Sequence, residues 1–179
     1  MACCCYRCKN KTRKSAALIF KREELVYDIK NLAFIIGDTL DATQQHTRHL
    51  IQDICEAGNV DRATRVLSLA HRECVEMLYP YTHGEIPADI RASDDRLTAA
   101  DTFVIFLSLP QTFSLSSLEI LEPAVHEYMI CRVLADWLAI VYPDAVEQWA
   151  ARCASAKETI EEAGRRRYGR ARLRLSPPW

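Results

Sequence analysis

The sequence lacks the features that mark several special classes of protein. The longest uncharged stretch after the first predicted helix, residues 102–118, is interrupted by Pro110, which argues against a membrane-spanning helix. Only 5 glycines and 7 prolines are present, which excludes a fibrous or linker-like chain, and 49% hydrophobic residues are too many for a disordered one. No apolar segment follows the basic residues at the start, so we expect no secretory signal. These absences predict a soluble, non-secreted protein, and 179 residues suit one globular domain.

Both ends of the chain lack acidic residues. Residues 1–22 contain seven lysines and arginines, and residues 164–179 contain six arginines. All 24 acids therefore lie in residues 23–163, together with ten basic residues, so this central region carries a charge of −14 between ends of +7 and +6. We divide the chain accordingly into a basic, cysteine-rich N-terminal arm (1–22), a helical domain (23–163) and an arginine-rich C-terminal arm (164–179).

Amphipathic helices are predicted over most of the central region. Apolar residues recur at helical spacing in five segments, which are 23–38, 43–56, 59–79, 118–141 and 145–163. We expect Asn59 to cap the third helix and Pro80 to end it. Pro123 should lie near the first turn of the fourth helix, where a missing N–H group is tolerated, and Gly164 should cap the last one.

One segment favours a β-strand instead. Residues 103–107 are β-branched or aromatic and are followed by Pro110. A single strand needs a partner, so we expect one from the polar 80–101 connection or from a neighbouring subunit. The predicted fold is therefore mostly α, a bundle of four to five helices with one short β element and extended basic termini.

The eight cysteines do not predict disulfide bonds, because thiols of a non-secreted protein stay reduced. Cys55, Cys74, Cys131 and Cys153 fall singly in amphipathic segments and are interpreted as small buried side chains. The other four belong to the N-terminal arm, where Cys5 and Cys8 have C-x-x-C spacing. We expect no cofactor.

Alternatives remain open for the N-terminal cysteines. Cys5 and Cys8 are weak zinc ligand candidates, with Cys3 and Cys4 beside them. A second ligand pair could come from His46 and His49, or from His71 and Cys74, which have helical i, i+3 spacing. A plain thiol-rich end and acylated cysteines are the other possibilities.

No catalytic motif is recognisable, and we predict that the protein is not an enzyme. The sequence has no nucleophile elbow and no glycine-rich phosphate loop. Two polar pairs occur in the fourth helix, His126-Glu127 and Asp136-Trp137. We interpret them as groups that bond to neighbouring helices and not as catalytic residues.

The basic arms are the candidate partner-binding segments. An arm that crosses onto the acidic surface of a second copy converts repulsion between like-charged domains into attraction, and repeated head-to-tail contacts close into rings. A solvated tail without a function is the alternative. The candidate residues are Arg13, Lys14, Arg165, Arg166, Arg167, Arg170, Arg172, Arg174 and Trp179.

Residues 101–163 resemble the head–tail connector (adaptor) proteins of tailed bacteriophages. The resemblance is carried by Leu-Ser-Leu-Pro-Gln-Thr-Phe at 107–113, by the helix that contains Leu-Glu-Ile-Leu-Glu-Pro-Ala-Val-His-Glu-Tyr-Met at 118–129 and Val-Leu-Ala-Asp-Trp-Leu at 133–138, by Tyr-Pro-Asp at 142–144, and by a last helix with Trp149. It is a similarity of pattern without a diagnostic motif, and it does not include the cysteine-rich N-terminus.

The resemblance implies a structural virion protein of the neck or collar, assembled in the host cytoplasm. Such a protein forms a ring of about twelve copies. It contacts a portal protein on one side and tail or tail-completion proteins on the other, with no membrane partner, while DNA passes through the channel without specific binding. The alternative is a cytosolic helical protein that binds nucleic acid through its basic termini.

Overall fold

The structure, a computed structural model, describes residues 13–82 and 101–166. Six helices and two strands occur in these residues, and short 3₁₀ turns join some of them. In chain order the elements are β1 Lys14–Lys21, α1 Arg22–Asp38, α2 Gln45–Gln52, α3 Val60–Met77, α4 Tyr79–Thr82, β2 Thr102–Leu109, α5 Leu115–Val141 and α6 Val146–Arg165. The predicted mostly-α fold with a small β element is confirmed.

Helix α5 is the centre of the bundle, because it packs against α1, α2, α3 and α6. Residues 128–131 are all buried, so side chains on every side of the helix are covered. A helix that is apolar all round requires neighbours on every side. The last two helices run antiparallel, and α3 also runs antiparallel to α5, since Arg62 bonds to Asp136 while Glu73 bonds to Tyr128.

Helix α5 begins at Leu115, three residues earlier than predicted, and this moves Pro123 out of the first turn. Pro123 lies in the helix interior and cannot donate to the carbonyl of Glu119. Pro80 was predicted to end the third helix, but α3 stops at Met77 and Pro80 is the second residue of α4, a position where its missing N–H group has no cost.

The two predicted caps have different outcomes. Asn59 is the N-cap residue of α3, as predicted, but its side chain makes no capping hydrogen bond. Its amide instead donates to the carbonyl of Asp53, 2.9 Å away, and so ties the helix to the preceding turn. Gly164 was expected to end the last helix and is instead buried within α6, which continues to Arg165. The predicted helix 43–56 is α2 flanked by the 3₁₀ turns Ala42–Gln44 and Asp53–Cys55.

The prediction for the partner of the 103–107 strand was wrong. The partner is β1, which lies within the segment assigned to the N-terminal arm, so Lys14 is the first residue of a strand. The two strands are antiparallel over their whole length, from Lys14 opposite Leu109 to Lys21 opposite Thr102. Apolar residues on their inner face are buried, namely Leu18, Phe20, Phe103, Ile105, Leu107 and Leu109. The described residues therefore complete the β element within one chain.

The 80–101 connection was predicted to be polar and long. Its first three residues, 80–82, belong to α4, while residues 83–100 lie outside the described residues. Among the helices that the structure describes, none combines the length and the apolar character needed to cross a membrane.

Candidate functional site

The candidate partner-binding residues that the structure describes lie where the chain enters and leaves the fold. Arg13 directly precedes β1 and is exposed, and Lys14 is exposed at the first position of the strand. Arg165 is the last residue of α6, and Arg166 follows it. The other candidates lie outside the described residues, namely Arg167, Arg170, Arg172, Arg174, Trp179, Cys5 and Cys8.

These two places are at the same end of the bundle, which we call the basal end. Lys14 is paired with Leu109, and the four following residues, a span of at most about 14 Å, lead to Phe113. The Phe113 ring packs edge-on against Tyr81, with ring centroids 5.5 Å apart. The Tyr81 hydroxyl donates to the carbonyl of Gly164, next to Arg165. A chain of contacts through Phe113 and Tyr81 therefore links the places where the two arms join the fold.

The first arginines of the C-terminal arm bond to their own helix. Arg165 Nη2 lies 2.9 Å from Glu161 Oε2, and Arg166 Nη2 lies 2.8 Å from Glu162 Oε1. Pairs of this kind on exposed helix surfaces stabilise by about 0.3–0.5 kcal/mol. Such weak bonds can be exchanged for contacts with another surface.

The rest of the bundle is acidic. Residues 23–82 and 101–163 contain 20 acids and 8 bases. Most of these bases are already paired within the fold, as in Lys30–Glu56, Arg48–Asp38, Arg62–Asp136, Arg132–Glu73 and Arg152–Glu127. At the end opposite the basal end, where α3 starts and α5 turns into α6, exposed acids include Asp53, Asp61, Asp144 and Glu147. The bundle is therefore acidic overall, and the excess of basic residues in the sequence belongs to the two arms.

The histidine and cysteine pairs considered for zinc do not meet in the described residues. His46 and His49 are exposed on α2. His71 lies under the sheet, with a ring nitrogen 3.2 Å from the carbonyl of Val104, and Cys74 is buried in the core. Within residues 13–82 and 101–166, no three His, Cys, Asp or Glu side chains are grouped to hold a metal.

The polar pairs of α5 bond to neighbouring helices, as interpreted from the sequence. His126 Nε2 lies 2.8 Å from Asp28 Oδ2 on α1. The Trp137 indole donates to the carbonyl of Leu50, 3.2 Å away. Asp136 accepts from Arg62 on α3, and Glu127 accepts from Arg152 on α6. These bonds join α5 to four helices, α1, α2, α3 and α6.

A second polar cluster, between α3, α5 and α6, was not expected from the sequence. The Tyr128 hydroxyl donates to Glu73 Oε2 at 2.6 Å, and the Cys131 thiol donates to Glu127 Oε1 at 3.4 Å. Burial raises the pKa of Cys131 to about 12, and burial together with the bond to Glu73 raises the pKa of Tyr128. Burial also raises the pKa of Cys74 and Cys153. The thiols are therefore neutral at physiological pH, and their protonated form is a poor nucleophile.

Within the described part of the chain, two surfaces carry several exposed apolar side chains. The outer sheet face consists of Ser15, Ala17, Ile19 and Lys21 of β1 and of Thr102, Val104, Phe106 and Ser108 of β2. Its central cross-strand pairs are apolar, Ala17 with Phe106 and Ile19 with Val104. Phe106 is 63% exposed and Ile19 is 59% exposed. The uninterrupted apolar run at residues 16–20 is the signal that could have revealed β1 and this face.

The second open surface is the α1 outer stripe, which lies opposite the buried face of that helix. It carries three large exposed apolar side chains, Tyr27, Phe34 and Ile35. Charged residues of both signs lie on the same side, namely Glu23, Glu24, Lys30 and Asp38. Three of them, Glu24, Lys30 and Asp38, are paired with Lys21, Glu56 and Arg48 of the same chain. A surface helix of a monomeric protein usually presents polar residues there.

Comparison with known proteins yields no relative: no protein-family model matches the sequence, and neither a curated protein nor a solved structure matches the chain.

Proposed function

We propose that this protein is a structural ring component, the head–tail connector of a tailed phage particle, with no enzymatic role and no cofactor. The observation that carries the proposal is the separation of charge: both basic arms attach at the basal end, and the remainder of the bundle is acidic. A molecule of this kind is complementary to a second copy of itself only when the two are arranged head to tail.

Head-to-tail contacts use two different surfaces of each subunit, and they close into a ring when the rotation between subunits allows it. The stretch that resembles connector proteins corresponds to β2, α5 and α6, the part that supplies most of the core. In the proposed particle the ring contacts the portal on one side and tail proteins on the other, at the virion neck.

An acidic bundle also suits a channel for DNA. A negative wall repels phosphate groups, so that a duplex passes without being held. The basic arms then contact neighbouring subunits or the portal, not the duplex.

The proposal is tested by neutralising the C-terminal arm and measuring the assembly state. In the test variant Arg167, Arg170, Arg172 and Arg174 are replaced by glutamine, which keeps the chain length. In the control variant Arg65 and Arg72, exposed on α3, are replaced by glutamine. Assembly mass is measured by analytical ultracentrifugation at high protein concentration and two salt concentrations, and the particles are imaged by negative-stain electron microscopy.

We expect closed rings for the full-length protein and for the control. The arm variant should assemble at least tenfold more weakly, and high salt should weaken the assembly of the full-length protein because it screens the charges. An arm variant that assembles like the full-length protein contradicts the role of the arm, and a protein that stays monomeric throughout contradicts the ring.

A second candidate function, nucleic-acid binding, is favoured by the same attachment of both arms at one end. Ten or so basic residues in one place would neutralise several phosphates, and the logarithm of the affinity would fall with the logarithm of the salt concentration with a slope of about −0.9 per phosphate. Duplex DNA titrated at rising salt separates the two functions. Tight binding that is lost steeply with salt supports this candidate, and weak binding beside ring formation supports the connector.

A further inference from the structure

The strand β1 has a free edge, which is the side of its backbone that faces away from β2. The N–H group of Arg22 donates to the carbonyl of Asp101 at 2.9 Å, and these two residues continue the strand register by one pair. Bonded and non-bonded pairs alternate along an antiparallel ladder, so the even-numbered residues of β1 bond to β2 and the odd-numbered ones direct their backbone groups outward. The contact of His71 with the carbonyl of Val104, the residue opposite Ile19, agrees with this alternation.

Three residues at the free edge offer backbone groups to a further strand. Ser15, Ala17 and Ile19 are exposed, and within the described residues none of their N–H and carbonyl groups has a hydrogen-bond partner. The neighbours of β1 in the fold are mainly β2 and α1. Proteins usually protect such an edge with a proline, a bulge or a central charge, and residues 15–20 have none of these. The row of alternating donors and acceptors is complementary to another extended backbone.

We propose that the free edge of β1 pairs with the same edge of a second copy, antiparallel and about a two-fold axis, so that two sheets join into one of four strands. In the register with the longest overlap, Ala17 lies opposite Ile19 of the second copy and Leu18 lies opposite its own counterpart. This contact differs from the head-to-tail contact of the proposed ring, because a two-fold axis makes both copies use the same surface. The inference therefore goes beyond the proposed function and does not depend on it.

Charge selects the antiparallel pairing of two copies. Lys14 at the start of β1 and Glu23 just after its end are exposed, and neither forms an ion pair in the described part of the chain. Lys21 and Arg22 lie between them and are paired with acids of their own chain. The antiparallel register brings the start of each strand, which also carries Arg13, near Glu23 of the other copy. A parallel pairing would bring like charges together, which is unfavourable.

The apolar centre of the outer sheet face would continue across this junction. Phe106 is opposite Ala17 and Val104 is opposite Ile19 within one chain. Because Ala17 would in turn lie beside Ile19 of the second copy, the apolar residues of four neighbouring strands form one row. Ile19, which is 59% exposed, would gain an apolar neighbour on its open side.

The test removes one outward N–H group from the free edge. Ala17→Pro deletes a donor that the ladder between β1 and β2 does not use, so the monomer should keep its sheet. Ala17→Ser keeps the donor and is the matched control. Ser108→Pro makes the same change on β2, where the N–H group points to the opposite edge. Circular dichroism checks the folding of all three variants, and sedimentation measures association in high salt, which screens the charges of the arms.

We expect the unchanged protein, Ala17→Ser and Ser108→Pro to dimerise as the concentration rises. Ala17→Pro should dimerise at least about tenfold more weakly, because two hydrogen bonds are lost at the two-fold axis and two carbonyl groups are left unpaired. If Ala17→Pro dimerises as well as Ala17→Ser, the pairing of edges is wrong. An unchanged protein that stays monomeric at the highest soluble concentration also overturns it.

Amide hydrogen exchange gives a second measurement that needs no substitution, and it decides the question if Ala17→Pro does not fold. NMR compares the exchange rates of the unchanged protein at low and high concentration. The N–H groups of Ala17 and Ile19 should exchange more slowly in the dimer, whereas those of Phe106 and Ser108, which point to the opposite edge, should not change. A dimer that leaves the exchange of Ala17 and Ile19 unaltered contradicts the proposal.

Discussion

The two faces of the β1–β2 sheet have the same kinds of side chain in opposite surroundings. Leu18, Phe20 and Ile105 on the inner face are at most 4% exposed, whereas Ile19 and Phe106, their neighbours along the strands, are about 60% exposed. An antiparallel sheet with one face in water usually alternates apolar and polar residues. The inner face is apolar, as this pattern requires. The centre of the outer face is also apolar, where the pattern requires polar residues. The comparison shows that the centre of the outer face lacks the polar residues that usually alternate with the buried ones in such a sheet.

The largest expected change in stability comes from truncating an isoleucine on the inner face, and the matched control truncates an isoleucine on the outer face. Ile105→Ala removes a buried side chain and leaves a cavity, and we expect it to lower the free energy of unfolding by about 2–4 kcal/mol. Ile19→Ala removes exposed atoms and should change it by less than about 0.5 kcal/mol in the monomer.

Urea denaturation followed by circular dichroism measures both variants at low protein concentration. Equal losses for the two isoleucines would mean that the outer face is already covered within one chain, and the comparison between the faces would fail.

The next effect concerns the polar cluster between α3, α5 and α6. Tyr128→Phe removes the donor to Glu73, and we expect a loss of about 1 kcal/mol, because the partner is charged but also reaches water. Glu73→Gln keeps an acceptor and should lose less. Chemical denaturation of both variants distinguishes the hydrogen bond from the charge, and an unchanged Tyr128→Phe midpoint would show that the bond has no net effect.

The histidine beneath the sheet should make stability depend on pH. Burial lowers the pKa of His71 from its ordinary value of 6.5. Below pH 6.5 the imidazole binds a proton in the unfolded chain more readily than in the folded protein. The free energy of unfolding should therefore fall as the pH falls through 6.5 towards the lower folded-state pKa. Above pH 6.5 the imidazole is mostly neutral in both the folded and the unfolded state.

The measurement compares the unchanged protein with His71→Gln in urea titrations at pH 5, 6 and 8. The variant should lose less stability between pH 8 and pH 5. Identical pH dependence would mean that His71 does not carry this effect. Because the imidazole contacts Phe103 and the carbonyl of Val104, the result reports on the inner side of the sheet.

The existence and approximate bounds of α1, α3 and α6 were predictable from the local periodicity of their apolar residues. β1 was missed although residues 16–20 are all apolar, and its pairing could not be predicted locally, because Leu18 lies opposite Ile105, which is distant in sequence. The apolar run at 16–20 stands between Lys14 and Lys21, and the basic charge suggested an arm. The attachment of both arms at one end likewise depends on contacts of Tyr81 with Phe113 and Gly164, which are distant in sequence.

The smallest expected change in stability comes from Arg165, the last residue of α6 and the first arginine of the C-terminal arm. Arg165→Ala removes an exposed pair with Glu161, and we expect a loss of at most about 0.5 kcal/mol in the free energy of unfolding. Arg165→Lys keeps the charge and should lose even less. Thermal melts of the two variants below the assembly concentration give this value. A large loss would mean that Arg165 stabilises the end of α6, so a change in assembly could then reflect local unfolding. A small loss leaves Arg165 free to be tested as a contact between copies, because the variant differs from the unchanged protein only at its surface.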